Sequence, residues 1–147
     1  MMLRKAHALA GRLAFLCMAA FWLSTVVAEL FLGHDAIVGI KTAIPYAFIA
    51  FLPCMALAGA TGFRLGGKSA LPALVTKRRR MPFIGANGVL ILIPAALFLA
   101  FKARAGEFDA WFYGVQTVEL LAGAVNLALM GLNIRDGRAL RKRRQMR

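Results

Sequence analysis

Glu119 is the residue of this sequence whose position most needs a chemical explanation. It lies inside the apolar run AWFYGVQTVELLAGAVNLALMGLNI, about 13 Å along a helix begun at Ala110. In a bilayer, an ionised carboxylate at the helix centre costs about 2.5–3.5 kcal/mol even on the lenient scale of insertion measurements. Glu119 must therefore be kept protonated, or be paired with a cation, a proton donor or a water-filled cavity.

Candidate company lies on two other apolar segments. Glu29 stands about 7 Å inside the outer edge of the first segment, and Thr25 lies one turn deeper on the same face. Tyr46 falls at a similar depth on the second segment, while His34 and Lys41 stand at its rim. With Gln116, one turn from Glu119, these residues would form a polar pocket open to the outer face. Such a pocket suits the handling of a proton or small cation, since ionisable groups inside a membrane mark functional sites by default. The same residues equally suit a structural role, with Glu119 paired to Tyr46 or Thr25.

Metal chemistry fits the spacing poorly. His34, Glu29 and Glu119 are the donor types available, but five residues separate Glu29 from His34, which sends them to different faces of a continuous helix. No HExxH-type pair occurs, so no metal or other cofactor is predicted. Cys17 and Cys54 sit in apolar stretches without a CxxC or a Cys/His cluster, and read as quiet packing residues. Gly62–Ser69 reads GFRLGGKS and matches the phosphate-loop pattern, which needs a strand before it and a helix after it. Here an apolar helix precedes it and Pro72 follows closely, so a glycine-rich turn is the expectation.

The last apolar run carries a second pattern. Gln116, Glu119, Gly123, Asn126, Met130 and Asn133 recur at spacings of three and four, the seam of a left-handed helix pair. Buried amides there serve as glue between helices, each contributing about 0.6–2 kcal/mol. Pairing of the third and fourth segments across a short outer loop puts Asn87 at the depth of Asn126. The expected packing seam is thus Asn126, Asn133 and Asn87.

These residues must be positioned by membrane-spanning helices. The chain has 147 residues, of which 61% are hydrophobic and 17% charged, and a formal charge of +13. That balance excludes a disordered polar chain and an average soluble enzyme. Four segments are long enough to cross about 30 Å of hydrocarbon: 9–32, 42–63, 81–103 and 110–134. The expectation is an all-α, antiparallel bundle of four transmembrane helices, a single integral membrane domain with a loop at 64–80 and a basic tail at 135–147.

Sixteen of the nineteen Lys and Arg residues fall on one side: Arg4, Lys5 and Arg12, six in 64–80 and seven in 135–147. By the positive-inside rule both termini should be cytoplasmic, in a bacterial inner membrane. The acids Asp35, Glu107 and Asp109 lie in or beside the opposite, outer loops. A cleaved signal peptide competes for the first segment, but its apolar run is long, lacks an A-x-A site and ends in Glu29. The basic runs Lys77, Arg78, Arg79, Arg80 and Arg141, Lys142, Arg143, Arg144 are expected at anionic phospholipid headgroups. The charge thus implies a lipid partner and no nucleic acid.

The opening RKAHALAG before a Trp-containing helix is similar to the first helix of small four-span bacterial proteins of the copper-resistance-D and protoporphyrinogen-oxidase type, which place a His there. The further intramembrane His of the haem-binding oxidases is absent, so the likeness implies no haem site. The leading expectation is a non-enzymatic accessory, assembly or scaffold protein that packs against a membrane partner or a second copy. A small transport or proton-handling protein using Glu119 and Glu29 is the alternative, and a membrane redox or cofactor-binding protein is the next.

Overall fold

The structure, a computed structural model, describes residues 2–66 and 72–145, without the side chains of residues 73 and 140–145. Part of the Gly62–Ser69 pattern, and the side chains of Arg141, Lys142, Arg143 and Arg144, lie outside the described residues. The described chain is helical: α1 (Met2–Phe31), α2 (His34–Gly66), α3 (Pro72–Asn87), a π-helical turn (Gly88–Leu92), α4 (Ile93–Arg104) and α5 (Ala110–Gln145). Among the described residues four lengths are long and apolar enough to cross a membrane: Met2–Phe31, His34–Gly66, Leu74–Arg104 and Ala110–Ala139.

Residue size decides which face of α1 turns inward. Ala10, Ala14, Met18, Thr25 and Ala28 are buried. Leu9, Leu16, Leu23 and Leu30, spaced seven apart, are 54–68% exposed. Small residues inside and large aliphatic ones outside is the arrangement of a bundle whose solvent is hydrocarbon, where close backbone approach holds helices together. An apolar surface this extensive would be a liability in water.

The third span is interrupted where proline demands it. Pro94, near the start of α4, has no N–H to donate, and in a regular helix its ring would crowd the Leu90 carbonyl. The preceding turn widens, so that Ile93 N–H reaches Gly88 O five residues back. Beside this turn Gly85 leaves open space, since a Cβ there would meet nothing within 4 Å.

Two apolar clusters form the described core. Ala14, Met18, Phe51, Ile84, Leu92 and Met130 make one, and Ala28, Ile37, Leu99, Ala103 and Phe112 make the other. The second joins the end of α1, the start of α2, the end of α4 and the start of α5. At that end Gly106, with φ of 70°, closes α4, its N–H bonded to Ala103 O at 3.1 Å. Lys102 then bridges Glu107 and Asp109 at 2.7 Å each, and Asp109 Oδ1 accepts the Phe112 N–H at 2.9 Å, capping α5.

The helices are longer than the apolar runs. The chain expected to connect the first two spans is mostly helical, since α2 begins at His34. Much of 64–80 is also helix, because Lys and Arg are good helix formers and Pro72 starts α3 at a position where its missing N–H costs nothing. Hydropathy marks the lipid-crossing length only, so polar helix on either side escapes it.

Candidate functional site

Lys41 is the partner of Glu119. The inward face of α2 carries Ile37, Lys41, Ile44 and Phe51, so the lysine occupies a core-facing helical position. Its residue exposure is 1%, and it is among the largest fully buried side chains. Lys41 Nζ donates to Glu119 Oε2, with side chains 2% and 13% exposed. The expectation that Lys41 stands at the rim is therefore corrected: α2 starts two turns earlier than hydropathy indicates and carries Lys41 inside. Neither Tyr46 nor Thr25 is the pairing group.

The other expected pocket residues separate into two sets. Thr25 is buried at 3% on α1 and, with Glu119, lines the central cavity described below. Glu29 lies within electrostatic reach of Lys41, His34 and Glu119, and its Oε1 is buried without a hydrogen-bond partner among the described residues. Gln116 is 4% exposed, and neither Oε1 nor Nε2 of its amide has such a partner.

Tyr46 leaves the pocket, and His34, though within electrostatic reach of Glu29, turns its ring to Phe108. Tyr46 is 63% exposed, and its hydroxyl accepts from Arg104 Nη2 at 3.2 Å while the guanidinium lies 5.7 Å from the ring centre. Five residues beyond Lys41, it falls on another face of α2. The His34 ring stacks on Phe108, with centroids 4.3 Å apart and planes 9° from parallel. Among the described residues no three His, Cys, Asp or Glu side chains gather closely enough to hold a metal ion.

The polar seam of α5 meets three neighbouring helices in turn. Glu119 meets Lys41 of α2. Gly123 meets Trp22 of α1, whose Nε1 donates to Leu120 O at 2.9 Å; a Cβ on Gly123 would stand 2.9 Å from Trp22 Cδ1. Asn126 meets α3: Asn87 Nδ2 donates to Asn126 Oδ1 and to Ala122 O at 2.9 Å each, and Asn126 Nδ2 donates to Ile84 O at 3.4 Å. Farther along, Arg80 donates to Asp136 Oδ2 at 2.8 Å and to Asn133 Oδ1 at 3.5 Å.

Arg80 and Lys77, both expected at headgroups, turn to protein partners. Arg80 joins α3 to α5, and Lys77 Nζ donates to His7 Nε2 at 3.3 Å. An ammonium only donates, so His7 Nε2 accepts, and Nδ1 carries the proton toward Ala58 O at 3.1 Å and Thr61 Oγ1 at 3.0 Å. His7 therefore ties α1 to α2 and α3. No local sequence pattern reveals this role, because its partners are 51–70 residues away. Arg79 is exposed.

Between the spans lies an apolar cavity of about 390 Å³. Met18, Phe21 and Trp22 of α1, Phe48 and Phe51 of α2, Ile84 to Ala96 in part of the third span, and Leu120 of α5 contribute to its wall. Its charged residue is Glu119, already engaged by Lys41.

Compared with known family models, curated proteins and solved structures, the chain matches none.

Proposed function

We propose that this chain is a non-enzymatic accessory, assembly or scaffold component of a bacterial inner membrane. Its four spans run antiparallel with both termini in the cytoplasm. The observation that carries the scaffold reading is the Lys41–Glu119 pair: the most costly charge in the spans is matched by a buried lysine of a neighbouring helix. A carboxylate used in this way holds helices together. The rest of the α5 seam does the same through Asn126 and Asp136.

The proposed orientation rests on the sixteen-to-three division of Lys and Arg across the spans. The basic face at 64–80 and 135–147 would rest on anionic headgroups, apart from side chains engaged within the protein, such as Lys77 with His7 and Arg80 and Arg135 with Asp136. Single cysteines at Glu107 and Arg138, in a chain lacking Cys17 and Cys54, test the orientation with a membrane-impermeant maleimide. Labelling from the periplasmic side at 107 and its absence at 138 is expected. The reverse pattern would overturn it.

A second reading, proton or small-cation handling, is favoured by one observation. Beside the ion pair, Glu29 Oε1 and both amide atoms of Gln116 are buried without a hydrogen-bond partner among the described residues. Such atoms commonly bind water or an ion. Reconstituted vesicles with a pH-sensitive dye inside separate the two readings. The scaffold reading expects proton flux equal to that of protein-free vesicles; flux that Glu119→Gln abolishes would replace it with the second.

A further inference from the structure

We infer that the central cavity takes up a hydrocarbon chain from the bilayer through a lateral mouth between α2 and the third span. Leu52 and Ala56 of α2 and Gly85 and Val89 of the third span line the cavity, and all four are also exposed on the outer surface. The cavity therefore opens sideways. Leu52 lies near the middle of the span His34–Gly66 and Val89 near the middle of Leu74–Arg104, which places the mouth toward the centre of the bilayer. What lies outside it there is hydrocarbon.

The walls select for chain and against headgroup. Three of the four polar residues on the wall have protein partners, leaving Thr25: Trp22 Nε1 bonds Leu120 O, Asn126 bonds Asn87 and Ile84, and Glu119 bonds Lys41. A ligand polar group placed inside would lose its water with little beyond the Thr25 hydroxyl to replace it, whereas a chain exchanges one apolar environment for another and fills the void. The cavity volume falls in the range of small-molecule sites. Space at the mouth is kept by glycine, since a Cβ on Gly85 would meet nothing within 4 Å. The widened turn demanded by Pro94 forms part of the same wall.

Two tryptophans make this measurable, because Trp22 lines the cavity and Trp111 is 73% exposed. Trp111→Phe leaves Trp22 as the sole fluorophore, and the protein is placed in vesicles of phosphatidylcholine brominated near the chain ends. Quenching of Trp22 is expected, with most of it lost when Gly85→Leu or, independently, Ala56→Leu fills the mouth. In the complementary Trp22→Phe chain, Trp111 reports the surrounding lipid and should quench equally with and without the filling substitutions. Recovery of Trp22 emission on adding an unbrominated polyprenyl alcohol would assign the chain to an isoprenoid, and persistent quenching would assign it to a phospholipid tail. Trp22 quenching unchanged by both filling substitutions, with Trp111 behaving as in the unfilled chain, would overturn the inference.

Discussion

Lys41 of α2 and Glu119 of α5 form an ion pair whose side chains are 2% and 13% exposed, 78 residues apart in the chain. Breaking such a pair strands a charge in a medium that cannot solvate it, which costs about 3–5 kcal/mol. Lys41→Met and Glu119→Leu are each expected to lower stability by that order. The double substitution, which leaves no charge, should recover most of the loss. Unfolding in detergent, followed by circular dichroism, checks this; a double variant as unstable as the sum of the singles would show that the two residues act independently.

Asn87 and Asn126 should be coupled more weakly. Their hydrogen bond joins α3 to α5, and polar contacts between membrane helices average about 0.6 kcal/mol, with a maximum near 1.7 kcal/mol. A double-mutant cycle with Asn87→Leu and Asn126→Leu is expected to give a coupling in that interval. Zero coupling would mean that the backbone acceptors Ala122 O and Ile84 O carry the interaction.

Gly123 faces the Trp22 indole too closely to admit a side chain. Gly123→Ala places a Cβ at 2.9 Å from Trp22 Cδ1 and should destabilise by about 1–3 kcal/mol through overpacking. The Trp22 Nε1 bond to Leu120 O should loosen at the same time, moving the Trp22 emission maximum. Ala at Gly114, where a Cβ meets nothing within 4 Å, is the matched control and should be silent.

Asp109 supplies an acid-sensitive contact at the end of α4. The hydrogen bond from Lys102, first, and the Phe112 N–H, second, hold its carboxyl below the ordinary value of 3.8. A depressed carboxyl contributes stability that is fully present above its unfolded-state value and is lost as pH falls through the folded one. Thermal unfolding of the intact chain and of Asp109→Asn should differ at neutral pH, and the difference should shrink below pH 3.8. A difference independent of pH would remove the carboxylate from the account.

The polar residues of the site were legible as types and depths, and less so as pairs. Glu119 stood out because bilayer physics makes any carboxylate there costly, and Asn87 could be matched to Asn126 because a short connection fixes their relative depth. Lys41 was misplaced at the rim because a hydropathy scan begins the second helix where apolar character begins, while the helix itself starts at His34. Tyr46 was assigned to the pocket on depth alone. Its face depends on the helical phase set by packing of α2, which directs it to Arg104.

What the sequence by itself determined is that four helices are long and apolar enough to cross a membrane, and their approximate extent. Both follow from transfer free energies that depend on composition along the chain. The tertiary structure decided which charges neutralise one another, which face each helix turns inward, and that a cavity remains between α2 and the third span. Those outcomes depend on side-chain volumes and helix rotations contributed by segments far apart in sequence, such as the width of the π turn ahead of Pro94 and the room left by Gly85, and no single stretch of sequence encodes their sum.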